Sequence, residues 1–97
     1  MSEEQITVEN VNTPGQSTKV RADKYQDMRA AMQLVLPDSE PGMSFHELKD
    51  AAKPHLSPNL FPNGKTSGWW AKTVQLDLEA KGQITRVHSK PLRFHKS

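Results

Sequence analysis

The chain has no cysteine among its 97 residues, which excludes a disulfide framework, thiolate catalysis and any cysteine-bound metal. No apolar run approaches the roughly 18 residues that a membrane-spanning helix requires. The N-terminus, MSEEQ, is acidic and lacks the hydrophobic stretch of a secretion signal, so a cytoplasmic protein with no membrane partner is expected. Catalytic signatures are missing as well. There is no H-E-x-x-H, no G-x-S-x-G, no G-x-G-x-x-G and no complete phosphate-binding loop. The four histidines, His46, His55, His88 and His95, have no metal-ligand spacing. These absences argue against an enzyme and predict no catalytic residues, no metal site and no cofactor.

Strong net charge is lacking too, at a formal +2, but the charge is unevenly spread. Residues 1–64 hold six Lys/Arg against nine Asp/Glu, net −3, whereas residues 65–97 hold seven against two, net +5. A basic C-terminal third is compatible with a nucleic-acid surface there, though ordinary charge variation gives the same figure.

The most organised stretch is TSGWWAKTVQLDLEAKG, residues 66–82. Thr66 or Ser67 is placed to cap a helix, and Gly82 to end one in the left-handed conformation. At 100° per residue, Trp70, Val74 and Leu78 form one apolar row with Ala71 beside it. Trp69, Leu76 and Ala80, with Thr73 at the margin, form a second apolar group. A polar stripe of Lys72, Gln75 and Glu79 lies between them, and Asp77 occupies the other gap. A helix this apolar around its circumference is mostly surrounded by protein. The stripe reads in two ways. Lys72 and Gln75 suit contact with phosphates and bases in a DNA groove, while the same spacing describes an ordinary solvated face, which Glu79 favours. Trp69 and Trp70 point about 100° apart and read as core residues rather than as a stacking platform.

Before this helix the chain reads as follows. Ile6–Glu9 and Thr18–Arg21 flank the turn Asn12-Thr13-Pro14-Gly15, a short hairpin arm. Asp23 with Gln26 opens a first helix whose apolar stripe is Tyr25, Met28, Ala31, Met32 and Val35, closed by Pro37. Ser44 and Glu47 make an S-x-x-E capping box for a second helix with Phe45, Leu48, Ala51 and Ala52 inward, distorted near Lys53 by Pro54. SPNLFPNG, residues 57–64, is a long connector anchored by Leu60 and Phe61. Lys65, at the start of the third helix, is placed to hold an anion or one DNA phosphate. After Gly82, Gln83–Val87 and Pro91–His95 read as a basic hairpin, with Leu92 and Phe94 on one face. Arg86, Lys90 and Arg93 are its candidate phosphate contacts; a charged hairpin that resists edge-to-edge pairing is the plainer reading.

The order of helix, capped helix, long helix and basic hairpin predicts an α+β, winged helix-turn-helix-like fold. It has three helices, a C-terminal β-hairpin wing and a short N-terminal β-hairpin arm, in one domain over residues 6–95 with tails at 1–5 and 96–97. NTPG followed by RADKYQDMR, the central KPHLSPNLFPNGKTSGWWAKTVQLDLEAKG and the terminal KPLRFH resemble a family of small bacterial proteins of unknown function. That resemblance implies a winged-helix-like fold and supplies no site residues. Two functions follow as expectations. The first is double-stranded DNA binding, as in a small transcriptional regulator, through Lys65, Lys72, Gln75, Arg86, Lys90 and Arg93. The second is a protein-interaction or assembly module on the same scaffold, anchored by an exposed Phe61 or Trp69. A homodimer is compatible with both.

Overall fold

In a computed structural model, residues 4–97 are described; the tail expected at Met1–Glu3 lies outside them. The chain forms two small antiparallel sheets and three helices. Strands β1 (Gln5–Glu9) and β2 (Ser17–Arg21) pair as the N-terminal arm, with Val8 opposite Thr18 and Ile6 opposite Val20. Then come α1 (Ala22–Val35), β3 (Met43–Ser44), α2 (Phe45–Ala52), α3 (Ser67–Ala80), β4 (Ile84–Val87) and β5 (Arg93–Lys96). The second sheet has the order β3-β5-β4, so the strand before α2 pairs with the last strand of the chain. The strands reach Gln5 and Lys96, both of which the sequence reading left to the tails.

The helices begin and end for identifiable reasons, some of them different from those expected. Arg21, not Asp23, flanks the start of α1, because β2 runs straight into the helix and the Ala22 N–H is already taken by the Glu4 carbonyl. The Asp23 carboxylate instead accepts from the Arg21 guanidinium, which lowers its pKa. The capping box at α2 is formed as predicted: the Ser44 hydroxyl accepts from the Glu47 N–H, and the Glu47 carboxylate accepts from the Ser44 N–H. Pro54 turns the chain into a single 3-10 turn, Lys53–His55, after Ala52.

At α3 neither Thr66 nor Ser67 supplies a hydroxyl cap. Thr66 adopts a left-handed φ of 62° and its hydroxyl turns back to the Lys65 carbonyl, while Ser67 is buried. The C-terminus follows expectation. Gly82, at φ 76°, lets its own N–H reach the Glu79 carbonyl and the Gln83 N–H reach the Leu78 carbonyl, the paired bonds of a Schellman stop.

Strand β3 had no sequence signal of its own, being two residues long. Its register depends on Gly42, at φ 79°, where a Cβ would lie 2.6 Å from the Phe94 carbonyl oxygen. The expected pairing of Leu92 with Phe94 on one face does not form. Leu92 lies in the loop before β5 and is exposed, whereas Phe94 is buried. No bulge joins Ile84 and Val87; Ile84 faces the core and Val87 is half-buried.

One continuous core joins these parts. Met28 and Met32 from α1, Leu48 and Ala52 from α2, and Trp70, Val74 and Leu78 from α3 meet Phe61, Ile84 and Phe94. Val8 and Val20 bring the inner face of the arm to the same core. Helix α3 is thus packed by α1 and α2 on one side and flanked by a hairpin at each edge.

A candidate interaction face on the third helix

The side chains of α3 sort into three sets. The inward set is Trp70, Ala71, Val74 and Leu78, all buried. Trp70 meets Phe61 edge-to-face at 6.4 Å between ring centroids, and the Lys24 ammonium lies 5.3 Å from the Phe61 ring.

On one flank, the predicted polar stripe is consumed internally. Gln75 is fully buried and donates to the Glu79 carboxylate. Arg86, reaching across from β4, grips the same carboxylate through Nε at 2.8 Å and a terminal nitrogen at 3.0 Å. The Glu79 side chain is only 6% exposed. Its hydrogen bonds raise the pKa of the Arg86 guanidinium. Arg86 points this way because β-pairing sets it opposite Phe94 on the inner face of the sheet, and its guanidinium lies 5.7 Å from that ring. The Lys72 ammonium is exposed but leans on the Phe45 ring, 4.3 Å from its centroid, and lies 3.4 Å from the Gln75 amide oxygen.

On the other flank, Asp77 is completely buried and holds three elements together. Its carboxylate accepts from the Glu9 backbone N–H at 2.9 Å, from the Tyr25 hydroxyl, and from the Lys81 ammonium at 2.9 Å. Burial, and then the hydrogen bond to Asp77, push the Tyr25 phenol well above its ordinary pKa. The sequence sets Lys81 four positions from Asp77 but carries no signal for Glu9 and Tyr25, which lie 68 and 52 positions away.

The third set faces outward. Trp69 is 58% exposed, beside half-buried Thr73, Leu76 and Ala80. Between this stripe and the distal half of the arm lies a groove of about 240 Å³. Trp69, Thr73 and Leu76 form one wall. Val8, Glu9 and Asn10 with Thr13 and Gln16–Thr18 form the other. The NTPG stretch, read in the sequence only as a turn, therefore supplies part of a lined surface. Trp69 is held against Trp70 edge-to-face at 5.0 Å, so its indole is braced although it is exposed.

The residues predicted for DNA contact differ in what is left free. Lys65, Lys72 and Lys90 are exposed. Gln75 is buried and bonded, which removes it from any groove-facing role. Arg86 is paired with Glu79, and Arg93 donates to the Gly42 carbonyl at 2.9 Å and lies 3.3 Å from the Glu47 carboxylate. Of the two candidate anchors, Phe61 is a core residue at 2% exposure and is unavailable to a partner; Trp69 is available. Among the described residues no group of three or more His, Asp or Glu side chains is placed to hold a metal ion, and no helix is long and apolar enough to cross a membrane.

These features define a small α+β protein with three helices and two antiparallel sheets, its long third helix clamped at both edges and apolar on its open side. The chain belongs to a family of unknown function, DUF6958, which it matches over residues 5–94. Compared with the curated proteins and with the solved structures, it matches none.

Proposed function

We propose that this chain is a winged-helix protein-interaction module whose binding face is the outward stripe of α3 together with the arm. The winged-helix reading is supported by the order α1, β3, α2, α3, β4, β5 and by the sheet order β3-β5-β4, in which the C-terminal hairpin is the wing. A binding role without catalysis is in keeping with the residues that line this face, and fold alone would not decide it. One observation carries the functional reading: a braced Trp69, 58% exposed, opens onto a groove while Gln75 and Glu79 of the neighbouring stripe are spent on internal bonds. Tryptophan is among the residues enriched at the anchoring positions of interfaces.

Duplex DNA binding is the second reading, favoured by exposed Lys65, Lys72 and Lys90 and by the basic C-terminal third. It is weaker because the arm stands beside the helix face that would enter a groove, and because Gln75, Arg86 and Arg93 already have partners.

The test is site-specific photocrosslinking in cells with p-benzoylphenylalanine in place of Trp69, and in place of Gln33 on the exposed side of α1 as a control. A discrete protein adduct at position 69 and none at 33 is expected. No adduct at 69, together with steeply salt-dependent duplex binding that is lost when Lys65, Lys72 and Lys90 are reversed, would replace the interaction reading by the DNA reading.

A further inference from the structure

We infer that the occupant of the α3 face is a second copy of this chain, packed about a two-fold axis running along α3. This rests on the interaction reading above and names its partner. Three observations carry it. The first is size. The groove, at about 240 Å³, is smaller than the roughly 300–1,000 Å³ of small-molecule pockets and suits one long side chain entering from outside.

The second is charge. Glu9 lines the groove on the arm side of the stripe, and its backbone is tied to Asp77. Lys72 is exposed on the opposite side of the stripe. A two-fold axis along the helix sets each flank against the opposite flank of the partner, so Lys72 of one copy meets Glu9 of the other, twice. The same operation applied to a face with one sign of charge would be repulsive.

The third is the apolar centre. The axis is drawn through exposed Trp69, between the two charged flanks, so that the two indoles meet there. Leu76 is beside them, and the Lys72 stem lies over the partner's groove. The resulting layout is an aromatic centre with charged rims, the usual anatomy of an interface. Leu34, on α1, and Leu92, in the loop before β5, are also exposed, but neither lines the groove.

Sedimentation velocity over about 1 µM to about 1 mM tests this, with circular dichroism to verify folding. A reversible dimer is expected. Trp69→Ala should raise its dissociation constant by about thirtyfold or more, as loss of an interface tryptophan does. Glu9→Lys and Lys72→Glu should each weaken the dimer, and the two combined should restore it, a recovery that a merely structural role for either residue would not produce. A monomer at every concentration overturns the inference, as does a dimer indifferent to Trp69→Ala or a double variant no tighter than the singles. A monomer that still gives a position-69 adduct with a different protein overturns the self-association and leaves the interaction reading standing.

Discussion

The two flanks of α3 solve one problem in different ways. Each uses an acidic residue of the helix to pin a hairpin, Asp77 the arm and Glu79 the C-terminal hairpin. Asp77 is fully buried and takes donors from a backbone N–H, a phenol and an ammonium. Glu79 sits at the protein edge and is served mainly by one guanidinium, itself 23% exposed. Water can therefore replace Arg86 but not the Tyr25 hydroxyl, whose bond to Asp77 is buried. The lesson is that the arm is a structural part of the fold rather than an appendage, while the C-terminal hairpin is held by a looser clasp.

Breaking the clamps separates them. Asp77→Ala leaves the buried Tyr25 phenol without an acceptor and frees the Glu9 N–H, and should cost about 3 kcal/mol, read from the urea midpoint. Amide exchange should rise first in β1 and β2. Arg86→Ala removes a bidentate but partly solvated pair and should cost about 1–2 kcal/mol, with faster exchange confined to β4 and β5. If the two variants cost the same and loosen the same amides, the contrast drawn here is wrong.

The pH dependence sharpens it further. The Tyr25 phenol has a pKa raised above its unfolded value of about 10, so its contribution to stability is complete below pH 10 and is lost as pH rises beyond it. The slope from this one group is at most about 1.4 kcal/mol per pH unit. Tyr25→Phe should flatten alkaline unfolding curves by that amount, whereas Arg86→Ala should leave their shape unchanged.

The smallest effect on stability belongs to the open side of the helix. Trp69→Ala should move the urea midpoint by an amount worth less than about 0.5 kcal/mol, because over half of the side chain already faces water. Its neighbour Trp70, 7% exposed, should cost about 3–5 kcal/mol when changed to alanine. A large loss at Trp69 would mean that the stripe is structural and that no partner need be sought for it.

Sequence alone was enough for whatever depends on neighbours a few positions away. The Ser44–Glu47 box, the Gly82 stop, the distortion at Pro54, the arm hairpin and the inward row of Trp70, Val74 and Leu78 all follow from local sterics, hydrogen bonding and helical periodicity. Periodicity also assigned Trp69 to a row different from that of Trp70. The expectation that both are core residues holds for Trp70 and fails for Trp69, which is 58% exposed because nothing among the described residues docks over its row. Periodicity could not say that Gln75 would be buried, because its partner Glu79 is fixed by Arg86 only when β4 folds back along the helix. The link from Tyr25 to Asp77 spans 52 positions, and β3 exists only because Gly42 admits the backbone of β5. Tertiary structure decided these points because burial and long-range pairing are properties of the packed chain: a lysine or glutamine stripe on paper becomes a surface or an interior according to what lies against it.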